Sequence, residues 1–211
     1  MATYQRKDHY HQRAKREGFR SRAAYKLLEL QQSHGLLRPA DRVVDLGCWP
    51  GSWMQVAAAE VGPRGCVVGV DLQAIDPPLD IANAVALCGD LGDAGVRAEL
   101  LAALGGVPAD VVLSDAAPKL TGVRPTDRAR EEELLLAIEA ALPAVLRPGG
   151  TLLLKILDGP EAEAAVGRIR ARFATARTLK PRASRRGTSE RYLLARRYRP
   201  AARSARGRPE G

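Results

Sequence analysis

Val43-Val44-Asp45-Leu46-Gly47-Cys48-Trp49-Pro50-Gly51-Ser52-Trp53 passes from a β-branched apolar run, through an acid and a glycine-bearing turn, into a segment that starts a helix. In an open α/β sheet, ligands sit outside the carboxyl ends of the strands. The turn is therefore expected to hold a nucleotide-like ligand, and Gly47 and Gly51 let the backbone come close to it. A dinucleotide fingerprint would read G-x-G-x-x-G, whereas this turn reads G-x-x-P-G. Pyrophosphate binding is poorly matched.

On either side of this turn the pattern repeats. Short apolar runs at Arg42 to Leu46, Cys66 to Asp71, Ala84 to Leu87, Asp110 to Asp115 and Thr151 to Leu157 read as buried parallel strands. Helical spacing fills the gaps at Ser52 to Glu60, Ala94 to Leu104 and Asp127 to Leu146, with Pro143 near the end of the last. Arg20 to Ser33, stopped by Gly35, and Glu161 to Phe173 are further helices. Phe173 to Leu179 and Arg191 to Tyr198 read as strands joined across a polar loop, Lys180 to Ser189. The alternation predicts an α/β fold: a doubly wound, mostly parallel seven-stranded sheet with an antiparallel last strand. A basic arm is expected at 1–20, the folded domain at 21–199 and a disordered basic tail at 200–211.

Composition bounds the function. With 45% hydrophobic and 27% charged residues in 211, the chain is an ordinary globular one, neither fibrous nor disordered throughout. It has no long apolar run and no apolar leader, so neither a membrane span nor a signal peptide is expected. Cys48, Cys66 and Cys88 form an odd set without CxxC spacing, which fits a reduced, cytoplasmic setting. His9, His11 and His34 are too few for a metal site, and none is expected. The net charge of +9 is unevenly sorted: residues 1–26 carry +6, residues 168–211 carry +13, and the stretch between them carries −10. Basic flanks around an acidic centre fit a polyanion held at the ends, because each phosphate contact releases counterions.

The turn resembles the first motif of S-adenosylmethionine-dependent methyltransferases. Asp71 ends the second strand, where a carboxylate can accept the ribose hydroxyls, and Asp90 follows the third, where adenine N6 needs an acceptor. A cationic sulfonium also suits an acidic centre. The resemblance becomes specific over five ordered blocks: Ser21 to Leu27 (SRAAYKL), the turn, Ser114 to Pro118 (SDAAP), Arg147 to Lys155 (RPGGTLLLK) and Lys180 to Tyr192 (KPRASRRGTSERY). From about Ser21 to Tyr198 the chain is similar to FtsJ/RrmJ-type ribosomal RNA 2′-O-ribose methyltransferases. The resemblance implies a Rossmann-like fold and S-adenosyl-L-methionine as cofactor. It also implies a catalytic tetrad on Lys26, Asp115, Lys155 and Glu190, with Lys155 as proton acceptor. The implied cofactor set is Asp45, Gly47, Trp49, Pro50, Gly51, Trp53, Asp71, Asp90 and Asp115.

A ribose hydroxyl is a poor nucleophile until its proton is removed, and a lysine can remove it only as the neutral amine. Burial and a second lysine favour that form, whereas neighbouring carboxylates oppose it. Arg13, Lys15, Arg16, Arg20, Arg22, Arg182, Arg185 and Arg186 are the expected RNA contacts, with Tyr10, Phe19 and Tyr25 available to stack bases. Departures from the family pattern are Cys48-Trp49 and Ser52 in the turn, Lys119 after Pro118, and Ile156-Leu157-Asp158 after the lysine. They bear on substrate fit more than on reaction type. The partner implied is ribosomal RNA or the large ribosomal subunit, with a uridine of the large-subunit RNA as target and a monomeric enzyme. Transfer RNA or another RNA as substrate, or a non-catalytic ribosome-assembly role, are the competing expectations.

Overall fold

The computed structural model describes residues 9–118, 121–156, 160–184, 188 and 190–200. Seven strands form one sheet in the order β3-β2-β1-β4-β5-β7-β6. They are β1 (Arg42–Leu46), β2 (Cys66–Asp71), β3 (Ala84–Cys88), β4 (Ala109–Ser114), β5 (Leu146–Ile156), β6 (Phe173–Leu179) and β7 (Arg191–Tyr198). Strands β1 to β5 pair in parallel, and β7 inserts antiparallel between β5 and β6. The expected sheet is thus observed.

Helices cover both faces. On one side lie α2 (Ala24–His34) and α3 (Ser52–Val61), on the other α4 (Ala94–Ala103), α5 (Arg124–Val145) and α6 (Pro160–Ala171). Alternation along each strand feeds two cores. Val44, Leu46, Val112, Leu152 and Leu154 pack toward α4, α5 and α6. Val43, Val111, Leu113, Leu153 and Leu194 pack toward α2 and α3. Most of these side chains are fully buried, each contributing about 1.5–3 kcal/mol relative to exposure. Helix α2 stops because Gly35 takes the left-handed conformation (φ 55°) and donates its N–H to Gln31 O.

Several boundaries differ from expectation, helix α2 starting at Ala24 rather than Arg20 and β4 and α6 shifting by one or two residues, and three further differences have physical reasons. Strand β5 starts at Leu146 rather than Thr151, because Leu146 pairs with Ala109 before a register shift. Helix α5 starts at Arg124 rather than Asp127. The Asp127 carboxylate instead accepts from Thr121 N, Thr121 Oγ1 and Gly122 N, tying down the approach to the helix. The third concerns the arm. Residues 9–16 form helix α1 (His9–Arg16), with Ala14 buried and the rings of Tyr10 and Phe19 each in contact with that of Tyr25. From residue 9 onward the segment is folded onto α2. The remainder of the expected arm and the tail beyond residue 200 lie outside the described residues, as do Leu157, Asp158 and Lys119. Among the described residues, no helix is long and apolar enough to cross a membrane.

Candidate active site

The site lies where strand order reverses, between β1 and β4, at the carboxyl ends of the parallel strands. Gly47 leaves β1 at φ 77°, and a side chain there would collide with Ala116 after β4. Close approach of these two turns thus requires glycine. Asp71, ending β2, is braced by two backbone donors: Trp49 N to Oδ2 and Gln73 N to Oδ1, both at 2.9 Å. Asp90 accepts Gly92 N at 2.7 Å.

A cavity of about 750 Å³ opens here. Gly47, Trp49, Asp71, Asp90 and Asp115 of the expected cofactor set line it. Trp49 is half exposed at its rim, and Leu72 more so. The remaining residues of the set are placed differently. Pro50 and Gly51 lie off the cavity wall, and Gly51 closes against Ile75 and Leu79. Trp53 does not face the cavity: helical phase turns it into the core, its Nε1 donating to Ala23 O at 2.8 Å. The indole braces the start of α2, as does the Ser21–Ser52 hydroxyl contact at 2.7 Å.

Asp45 is buried and also off the cavity wall. Its Oδ2 has no hydrogen-bond partner among the described residues. Burial, then Asp115 and Asp71, hold its carboxyl well above the ordinary range. Sequence reasoning missed the α5 side of the cavity, where Arg130, Glu133, Leu134, Ala137 and Ile138 contribute. Their apolar members read as ordinary core, and only their position one turn apart along α5 could have flagged them.

Next to the cavity, four elements bring the tetrad together. Lys26, in the first turn of α2, donates to Glu190 Oε2 at 2.8 Å and lies 3.6 Å from Asp115 Oδ2. Lys155, near the end of β5, donates to Asp115 O at 2.5 Å and lies 3.2 Å from Asp115 Oδ1. Glu190 also accepts Ser184 Oγ at 2.8 Å. Burial is the largest single influence and would raise the Glu190 carboxyl, but the charge and hydrogen bond of Lys26, the Ser184 hydroxyl and the Lys155 charge together outweigh it, and the group sits below its ordinary value.

Tyr192 completes this network and was not singled out from sequence. Fully buried, it donates to Asp115 Oδ1 at 2.5 Å and accepts from Lys26 Nζ at 3.1 Å. Burial and the two carboxylates push its phenol far up, so it remains a donor. The available signal was its place in β7 directly opposite Lys155.

The expected RNA contacts divide. Lys15 and Arg16 are exposed on α1, and Arg182 is exposed before Glu190. Arg13 instead pairs with Glu17 and stacks on Tyr25, Arg20 donates to Pro78 O, and Arg22 donates to Ala183 O and stacks on Tyr10. These three clamp the N-terminal segment to the domain. The aromatic residues are occupied by one another rather than open to bases. Arg185 and Arg186 lie outside the described residues.

A sheet of this topology with a cavity at its switch point is the architecture of a Rossmann-like methyltransferase. The profile of the FtsJ-like methyltransferase family matches residues 19–198, and the chain belongs to that family. It is 42% identical over 191 residues to ribosomal RNA large subunit methyltransferase E of Methanothermobacter thermautotrophicus, covering 90% of each chain. It is 45% identical over 190 residues to the enzyme of that name from Acidithiobacillus ferrooxidans, covering 90% of this chain and 84% of the relative. Among solved structures, one described as a ribosomal RNA methyltransferase of Plasmodium falciparum superposes with a TM-score of 0.73 at 29% identity, covering 85% of this chain and 98% of that one. Aeropyrum pernix fibrillarin, solved with S-adenosyl-L-methionine bound, shares the fold at TM-score 0.59 and 17% identity. The protein is a methyltransferase and S-adenosylmethionine is its methyl donor. The cavity suits that cation: four carboxylates, Asp71, Asp90, Asp115 and Glu133, line it, and a fifth, Asp45, lies buried close by with an oxygen unpaired among the described residues.

Proposed function

We propose that this chain methylates a ribose 2′-hydroxyl in RNA, with a uridine of large-subunit ribosomal RNA as its target. The observation that carries the reading is the shared residue Asp115, which lines the cavity and also anchors both lysines. The names of the relatives support ribosomal RNA as substrate. When bound, S-adenosylmethionine supplies a methyl group on a cationic sulfur.

Asp71 and Asp90 would hold the cofactor's ribose and adenine as acceptors, and Gly47 would let it approach the backbone. Lys155 Nζ, once neutral, accepts the proton of the attacking hydroxyl. Asp115 and Lys26 hold that amine and the nucleophile in register, and Glu190 fixes Lys26. Two ammonium and two carboxylate groups balance one another at rest. Lys15, Arg16 and Arg182, all exposed, would meet phosphates of the RNA.

The test is methyl transfer from labelled S-adenosylmethionine to transcribed large-subunit RNA, followed by mapping of the modified nucleotide. Lys155→Ala should lower turnover about 10²–10⁴-fold while leaving cofactor affinity unchanged. Wild-type turnover in that variant, or a methyl group found on a base, would refute the reading.

A further inference from the structure

At the opposite end of the sheet from the tetrad, four basic groups converge from three parts of the chain. His34 ends α2, Arg38 follows it in the connecting loop, and Arg177 and Arg196 lie on β6 and β7. Thr175 and Arg196 are cross-strand partners, as are Arg177 and Leu194. Alternation therefore puts both arginines on the α2 side of the sheet, where Leu194 packs.

Arg196 Nη2 donates to His34 O at 2.5 Å and Gly35 O at 3.3 Å, which anchors the guanidinium against the end of α2. Its Nε is buried and without an acceptor among the described residues. Arg177 and Arg38 are exposed, and neither makes an ion pair within 4.0 Å of a carboxylate there. The carboxylate facing this group is Asp41, whose Oδ2 accepts the backbone N of Arg38. Burial, then Arg177 and Arg38, push the Arg196 guanidinium below its ordinary value. Burial, then Arg177 and Arg196, do the same to His34.

A single charged residue is enough to guard an edge strand such as β6 against mispairing. Gathering three arginines and a histidine, with mutual repulsion and one carboxylate nearby, does more than that task requires. An anion seated among them would relieve the repulsion. We propose that His34, Arg38, Arg177 and Arg196 form a second phosphate-binding surface, which grips the RNA substrate away from the reacting ribose. This inference rests on the RNA reading above. The surface is on the same elements as the catalytic network: four residues of β7 separate Tyr192 from Arg196, about 13 Å of strand. Eight residues of α2 separate Lys26 from His34, about 12 Å of helix. One RNA could therefore touch both ends of α2.

The experiment is a salt titration of binding to transcribed large-subunit ribosomal RNA, comparing wild type with Arg38→Ala/Arg177→Ala. Arg196 is left intact because it caps α2. Losing two phosphate contacts should flatten the log-log salt slope by about 1.4 to 1.8 and weaken binding about 10- to 100-fold at low salt. Turnover at saturating RNA and S-adenosylmethionine affinity should stay at wild-type values. Arg168→Ala removes one positive charge from α6, on the other side of the sheet, and should leave the slope unchanged.

Equal slopes for wild type and the double variant would overturn the surface while leaving the RNA reading intact. An equal loss in Arg168→Ala would overturn it as a mere net-charge effect. A loss seen with assembled large subunits and not with naked RNA would assign the surface to a protein partner and overturn it as well. A wild-type protein that shows no salt-dependent RNA binding would bring down the functional reading itself.

Discussion

Tyr192→Phe removes one oxygen from the centre of the proposed catalytic network and almost no volume. The phenol is fully buried, donates to Asp115 Oδ1 at 2.5 Å and accepts from Lys26 Nζ at 3.1 Å. Asp115 would keep both lysines, and Lys26 would keep Glu190. What is lost is the neutral donor that fixes the rotation of the Asp115 carboxylate between two cations. A hydrogen bond to a charged group contributes about 1.5–3 kcal/mol. If that energy holds the carboxylate in its reactive orientation, kcat should fall about 10- to 150-fold, since each 1.36 kcal/mol is tenfold. The assay is single-turnover methyl transfer to large-subunit RNA, with cofactor affinity measured by calorimetry. Cofactor affinity should not change, because Tyr192 does not line the cavity. A folded Tyr192→Phe protein with wild-type single-turnover rate would refute the argument that this hydroxyl orients the site.

Two further outcomes follow from the cavity and its surroundings. Asp71→Ala removes a carboxylate already braced by Trp49 N and Gln73 N, so it should weaken S-adenosylmethionine binding by about 1.5–3 kcal/mol; unchanged affinity by calorimetry would remove Asp71 from the cofactor site. Asp45→Asn should gain stability relative to wild type as pH rises. The Asp45 carboxyl is raised in the folded state by burial and by Asp115 and Asp71, so its favourable contribution is complete below its unfolded value of about 3.9 and is lost as pH climbs toward the folded value. Urea unfolding of both proteins without cofactor at pH 4 and pH 8 checks this, and an equal difference at the two values would sink it.

The central strands were readable because they are buried on both faces: a run such as VVGV is apolar at every position, and β1 and β2 have the limits that the sequence predicted. The edge strand β6 is mostly exposed, and its limits and those of β7 were legible instead from the polar loop between them. Helix α1 escaped notice because HYHQRAKR buries only Ala14, and its ordering depends on a ring contact with Tyr25, nine residues beyond the helix end. Trp53 misled for the opposite reason. A large aromatic just after a ligand-binding turn invites a ligand role, yet the second residue of α3 points inward. Tyr192 and the α5 wall of the cavity were hidden because strand pairing and helix phase, rather than residue type, bring them to the site.

The direction of β7 explains why the network can exist at all. Because β7 runs antiparallel to β5, it begins at the end where β5 finishes, and Tyr192 faces Lys155 across the ladder. A parallel β7 would have started at the opposite end of the sheet, leaving Glu190 far from Lys26. Burying these three ion pairs does not make such a network a source of stability, since desolvation cancels much of the attraction. Removing any one member would strand a partly buried charge. The tetrad therefore owes its arrangement to four separate element ends, and its stability is supplied by the two apolar cores that hold those ends in place.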